Sequence, residues 1–533
     1  MWWFCLLPMR KPGASFWVVF ALVAVILVPV AMRSGKSGFQ PGDATLVIVT
    51  PHNEAVRYEF GRAFTAAYLR QTGKRVRIDW RTPGGTSEIA RYLASSYLGA
   101  FQYEWEGRQG QPWNAEVEAA FDNPLVAPGQ GTAAARARKA FLDSHVSCGI
   151  DLFFGGGSFD YAQQAAAGRL VACPELGDPA HFPHSLCRFP QTVGGEIYWD
   201  PQGRWAGDAL SAFGICYNTD ALRRIGFVGT PAHWSDLAQP RLRGTVALAD
   251  PTQSGSAAKA FEMLIQQQIA EAGGDVAEGW RRAMRLVRRI AGNARYFSDS
   301  ATRIVWDVES GDASAGMAID FYGRFQSEAV RRADGTSRLG YVTPEGGSSF
   351  GVDPIGLLRG APSPELARAF IAFVLSPEGQ KLWNWKVGTP GGPEKYALRR
   401  LPVLPELYAP EFAPLRSDPE VDPFTWAKAN PPYHPEWTGS LFRVIGFVVQ
   451  TMAMDPHEEL TSAWAALIEH GFPPQATALF DDVSAIDYAT AMSVLKPALA
   501  SAQKIDATRL AKTLGDQFRA QYKQVEALAR AGK

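Results

Sequence analysis

An excess of charge of either sign is missing from this sequence. Lys+Arg and Asp+Glu each total 53 among 533 residues, so nothing in the balance points to nucleic acid as a partner. Cysteine is also scarce: Cys5, Cys148, Cys173, Cys187 and Cys216 form no zinc-ribbon or redox CxxC pattern. Walker A and HExxH are absent, and no catalytic constellation stands out for an enzyme reading to build on. Paired acids such as Asp299 and Asp307 read as solvated helix charges. Cys173 and Cys187 bracket His181 and His184. A disulfide-closed loop is the simpler account of that segment, with a metal site as the alternative.

What is present begins with one apolar run, FWVVFALVAVILVPVAM at Phe16 to Met32, preceded by Arg10 and Lys11 and closed by Arg33 and Lys36. It reads as a signal peptide or a retained membrane anchor over residues 1–33. A chain of this length divides into lobes, because a single core stops growing well below 533 residues. Apolar residues at Leu46 to Val49, and alternating Val76, Ile78 and Trp80, predict strands. Each leads through a polar or Gly-rich loop (Thr50 to Glu54; Pro83 to Ser87) into a helix, and Gly73 is a natural C-cap for the first of these helices. The 100–146 segment breaks the rhythm and reads as an insertion, with Thr132 capping a helix from Ala133. Ile150 to Phe154 predicts a buried strand that ends in Gly155, Gly156, Gly157 and Ser158. Ala315 to Asp320 predicts another, with Phe321 and Tyr322 at its carboxyl end. Repeated strand–loop–helix units indicate an α/β fold with ligand loops at the strands' carboxyl ends.

The stretch GTVALADPTQSGSAAKAFEMLIQQQ from Gly244 carries the strongest chemistry. A strand ends near Ala249, and a helix opens near Ser256 with Ala257, Phe261, Leu264 and Ile265 on one face. Ser254, Gly255 and Ser256 place two hydroxyls around a glycine at that helix's N-terminus, where unpaired amides attract anions. A serine that only caps the helix is the plain alternative.

Six collinear segments now resemble the extracellular solute-binding proteins of bacterial ABC importers, in the branch with ferric-iron, phosphonate and sugar-phosphate binders. They are LVIVTPHNEAV from Leu46, IDLFFGGG from Ile150, RWAGDALSAFGICYNTD from Arg204, HWSDLAQPRLRGTVALADPTQSGSAAKAFE from His233, SGDASAGMAIDFYG from Ser310 and APSPELARAFIAFVLSPEGQKLW from Ala361. The resemblance covers 46–383 apart from the insertion. It implies a two-lobed periplasmic-binding-protein fold (type II), with lobe 1 at 44–210, lobe 2 at 211–340 and a return to lobe 1 at 341–400. Residues 401–533 then form a helical extension.

The resemblance also implies a periplasmic protein, with or without its inner-membrane anchor, that passes a small anionic solute to ABC permease and ATPase subunits. The ligand would be a phosphonate, a phosphorylated compound, or a ferric ion with an anion. Its contacts would be His52, Asn53, Gly85, Thr86, Ser254, Gly255, Ser256, Asp320 and Tyr322. If the ligand were ferric, His52 and Tyr322 would coordinate it. Phe321 stands where iron-binding members carry the first of two tandem tyrosines, and phenylalanine cannot coordinate. An anchored sensor or scaffold, or an enzyme on the same fold, are the competing classes.

Overall fold

A computed structural model of the chain describes residues 44–180, 185–501 and 504–533. The apolar run at 16–32 and the pair His181 and His184 lie outside the described residues. Among the described residues, no helix is long and apolar enough to cross a membrane.

The first α/β lobe starts with β1 (Ala44–Val49), α1 (Glu54–Thr72), β2 (Val76–Arg81) and α2 (Thr86–Gln102). After α3 (Ala115–Ala120) and α4 (Ala133–Asp143) come β3 (Leu152–Phe154), α5 (Ser158–Ala167) and β4 (Ala206–Ser211). The second lobe runs through β5 (Phe213–Asn218), α6 (Thr219–Arg224), β6 (Val246–Ala249), α7 (Gly255–Glu271), α8 (Val276–Gly292) and β7 (Ala294–Ser298). It continues with α9 (Ala301–Ser310), β8 (Ala315–Ile319), α10 (Asp320–Ala329) and β9 (Leu339–Val342). The chain then returns through β10 (Gly351–Leu357), α11 (Pro364–Leu375), α12 (Pro377–Asn384) and β11 (Leu401–Pro402).

These strands make two mixed sheets, in the orders β11-β4-β10-β3-β1-β2 and β9-β5-β8-β6-β7. β1 lies parallel to both β2 and β3, with Ile48 opposite Trp80 and Leu152. β8 lies parallel to β6, and β6 to β7. Such strands are covered by helices on both faces, which is why they read as continuous apolar runs. Local chemistry sets the helix ends. Asn53 accepts from the Val56 amide at 3.2 Å, Thr132 accepts from Ala135 at 3.1 Å, and Gly73 closes α1 with φ of 70°. Buried carboxylates tie distant segments together. Asp151 accepts from the amides of Val47 (2.8 Å) and Ser363 (2.6 Å), and Glu59 accepts from those of Glu394, Lys395 and Tyr396.

The lobes join where β4 passes into β5 at Ala212 and where the chain returns between Val342 and Gly351. Ser348 pins both passages, accepting from the Phe213 amide at 3.1 Å and donating to the Phe213 carbonyl at 2.7 Å. The segment from Arg204 therefore contains two strands of different sheets. Likewise Tyr341 and Val342 belong to the second sheet, and Leu401 and Pro402 to the first. Residues expected to begin the helical extension thus complete lobe 1.

From 442 onward, helices Phe442–Val449, His457–Glu469, Pro474–Phe480 and Lys504–Arg530 pack on lobe 2. Ile445, Leu460, Trp464, Phe480, Phe518 and Tyr522 share one apolar core with Trp280, Met284 and Val287 of α8. Arg288, also on α8, is wholly buried among the Phe480, Phe518 and Tyr522 rings and donates to the carbonyls of Phe480 and Asp482. This extension is core to the second lobe, not an appendage. Cys148, Cys173, Cys187 and Cys216 are free thiols, which corrects the expected disulfide between Cys173 and Cys187. Cys173 donates to Glu175 two residues on, and Cys187 to the Leu176 carbonyl across the loop, so each thiol has its own partner.

β4 carries an unusual group. Both carboxyl oxygens of Asp208 are buried without a hydrogen-bond partner among the described residues. Burial pushes its pKa well above the normal range, and Arg400 offsets this only in part. The folded state therefore holds this proton more tightly than the unfolded chain. Stability from Asp208 is lost as pH rises from about 4 toward the folded value. Asp208→Asn keeps the shape and removes the titration. We expect it to gain about 1–3 kcal/mol over wild type at pH 8 and to gain nothing at pH 4. Urea unfolding at the two pH values checks this, and equal midpoints at pH 8 would contradict it.

Candidate functional site

Between the lobes lies a cleft of about 700 Å³. Its construction follows from the topology. β1, β2 and β3 of one lobe, and β6, β7 and β8 of the other, each lead into a helix whose first residues line this cleft. The N-cap residues are Asn53, Gly85, Gly157, Ser254, Ser300 and Ile319, and all of them are lining residues. A helix N-terminus carries about half a positive charge and up to four unpaired amides. Gly85, Gly157 and Ser300 make no side-chain cap, so the first-turn amides behind them remain available, whereas at α10 the Asp320 amide is taken by the Ala212 carbonyl and the Phe321 amide by Asp320 Oδ1. At α7, Ser254 Oγ accepts from the Ala257 amide at 3.2 Å. Its hydroxyl proton is still free to donate, so capping and anion contact are compatible at this residue.

The glycine run after β3 is required by close approach. Gly155 has φ of 88°, and a Cβ there would lie 2.3 Å from His52 Nε2. Gly156 has φ of 126°, and its Cβ would lie 2.8 Å from Thr86 Cγ2. His52 is 4 % exposed, packs edge-on against Phe154 at 4.6 Å, and has no partner at Nε2. Burial, then Arg400 and Arg57, drive its pKa well down, so the ring is neutral at pH 7.

Of the residues expected to contact ligand, His52, Asn53, Gly85, Thr86, Ser254, Gly255, Ser256 and Tyr322 line the cleft. Asp320 does not. β8 ends at Ile319, so Asp320 begins α10 with its carboxylate turned inward, where it accepts from its neighbour's amide and pairs with Arg324 at 2.9 Å. Arg324 also meets Asp418, so Asp320 belongs to a structural ion network.

Sequence reading missed Arg400, Lys259 and Asp160. Arg400 pairs with Asp353, lies 3.9 Å from the centre of the Phe321 ring, and lowers the Tyr322 hydroxyl against the upward push of burial. Lys259, one turn into α7, lies 2.9 Å from both Glu196 and Glu262 and 3.7 Å from the Tyr433 ring centre. Glu196 belongs to a small hairpin beside lobe 1, so this cluster bridges the cleft. A third passage of chain reinforces the bridge. Tyr433 donates its amide to Gly194 at 2.7 Å and its hydroxyl to Glu262 at 2.8 Å, and Gln266 donates to the His434 carbonyl at 2.8 Å. No local pattern marks the Lys259–Glu196 and Arg400–Asp353 pairs, because those partners lie far apart in the chain.

Comparison with known proteins agrees with this layout. Residues 145–401 match the model of the bacterial extracellular solute-binding protein family. This segment is similar to the solute-binding proteins of that family. The matched segment includes β3, the Ser254–Ser256 loop, α10 and Arg400. An uncharacterized protein of Haemophilus influenzae is 27% identical over 239 residues, which is 45% of this chain and 61% of that one. The phosphoglycerate transport regulatory protein PgtC of Salmonella typhimurium is 26% identical over 174 residues, 33% of this chain and 39% of its own. The match thus spans less than two thirds of either relative. Among solved structures, the periplasmic binding protein AfuA of Actinobacillus pleuropneumoniae with fructose-6-phosphate aligns at TM-score 0.46 and 15% identity. That alignment covers 80% of this chain and 99% of AfuA. Iron-bound HitA of Pseudomonas aeruginosa aligns at TM-score 0.45 and 16% identity, covering 76% and 98%.

Proposed function

We propose that this solute-binding protein captures a small phosphorylated organic anion in the interlobe cleft, in the periplasm, and delivers it to the permease of an ABC importer. The observation that carries this reading is the convergence of six helix N-termini on one cavity, three of them with first-turn amides left available. Neutral donors would hold the phosphoryl group: the Ser254 and Ser256 hydroxyls, Thr86, and the amides at Gly85, Gly157 and Gly255. PgtC, a relative named for phosphoglycerate transport, supports an organophosphate. A ferric ligand is the less favoured solute. Phe321 stands beside Tyr322 and supplies no donor atom, so one of the two phenolates a ferric ion would use is missing. Closure of the two lobes on the ligand is the hinge motion suited to such a cleft.

Thermal unfolding of the full chain tests this against phosphoglycerate, fructose 6-phosphate and ferric citrate. A ligand present at 100 times its Kd stabilises by about 2.7 kcal/mol, enough to raise Tm measurably. We expect a rise with at least one organophosphate and none with ferric citrate. A rise with ferric citrate alone would overturn the reading.

A further inference from the structure

Both cations of the cleft are already spoken for. Lys259 is held by Glu196 and Glu262, and Arg400 by Asp353. One half-buried carboxylate in the same cleft has no such partner among the described residues. Asp160, in the first turn of α5, makes no hydrogen bond or ion pair with any described residue. Its Oδ2 lies between the lobes: a Cβ built on Gly157 or on Gly255 would sit 3.8 Å from it. An acceptor-only group therefore stands at the N-terminus of α7, beside the Ser254 and Ser256 hydroxyls, where a ligand anion would bind. The buried, unpartnered Nε2 of His52 opens on the same cleft. Two ionised groups cannot share such a place, because like charges brought together without water cost several kcal/mol. A group that carries a proton can.

We propose that Asp160 is a specificity-determining residue: its Oδ2 accepts a hydrogen bond from a ligand oxyanion that retains one proton, so the cleft takes the mono-protonated phosphoryl group and rejects an oxyanion without a proton, such as sulfate. The inference rests on the organophosphate reading above.

The electrostatics agree. Burial alone pushes the Asp160 carboxyl up to about 6, close to the second ionisation of a phosphate monoester at about 6. The other titrating groups of the cleft leave that match in place. His52 is kept neutral, and Glu88 on α2 is bound to Arg91 at 2.5 Å. Asp299, ahead of α9, is exposed to solvent. The complex then holds one proton between Asp160 and the phosphoryl oxygen. Above pH 7 both partners are ionised when apart, so binding draws that proton from solvent.

The test is titration of the full chain with phosphoglycerate between pH 7.5 and 8.5, with inorganic sulfate as competitor. For wild type we expect Kd to rise about tenfold over that one unit. Calorimetry in buffers of different ionisation heat should show uptake of one proton, and sulfate should not compete. Asp160→Asn can donate to a fully ionised group, so its Kd should be flat over the same range and sulfate should compete. Asp160→Ala should bind more weakly at both pH values, without the slope. The wild-type slope and proton count need no variant to fold. A flat wild-type Kd, or a slope that Asp160→Asn retains, overturns this assignment while the measured affinity leaves the organophosphate reading standing. Wild type that binds neither phosphoglycerate nor fructose 6-phosphate overturns both.

Discussion

Ser254→Asp is expected to reduce organophosphate affinity by about 100-fold or more while leaving the fold intact. Aspartate caps a helix about as well as serine, so its oxygen can accept from the Ala257 amide as Ser254 Oγ does at 3.2 Å. The same carboxylate would face the ligand's own charge at the N-terminus of α7, and like charges juxtaposed there cost several kcal/mol. Ser254→Ala makes the opposite separation. It loses the cap, at about 1 kcal/mol of stability, and one donor, at a smaller cost in affinity. Urea unfolding and ligand titration of the two variants read the effects apart. Unchanged affinity in Ser254→Asp would mean that this loop only caps its helix.

Arg400→Met is expected to be the most damaging single change to the fold near the site, at about 3–5 kcal/mol. Arg400 is 7 % exposed, pairs with Asp353, and stacks on Phe321 with Trp383 further off at 5.7 Å. Methionine fills much of the volume but leaves Asp353 buried without its partner and removes the cation that moderates Asp208. The midpoint of urea unfolding should fall sharply, and Asp353→Asn in the same chain should recover part of the loss. If the double variant is no more stable than Arg400→Met, the ion pair is not the cause and the cost lies in lost stacking. Ligand binding should also weaken, because Arg400 supports the Phe321 and Tyr322 end of the cleft.

The legible parts of this protein are those whose signal is local. The Ser254 cap, the Gly73 helix end and the Thr132 cap each depend on partners within a few residues, so the local sequence reveals them. The Asp320 expectation failed for a related reason. A strand-end acid looks the same in sequence whether it faces the cleft or, as here, an arginine one turn later. Reading residues 401–533 as a separate extension missed that Leu401 and Pro402 pair with β4, and that Trp464 donates to Asn293 at 2.7 Å across 171 residues. The expected Cys173–Cys187 bridge rested on export and on two cysteines bracketing one loop, and neither says where each thiol points.

The sequence alone determined the alternation of strand, polar loop and helix, and therefore that helix N-termini with glycine and serine would gather at the strands' carboxyl ends. It did so because periodicity and capping act over one or two turns. Only the tertiary structure decided which charges meet in the cleft. Lys259 meets Glu196 and Tyr433, Arg400 meets Asp353, and Asp160 meets no counter-charge. Those outcomes depend on closing long loops and packing two lobes together. The field that a ligand would feel is the sum of groups far apart in the chain, and no local pattern encodes it.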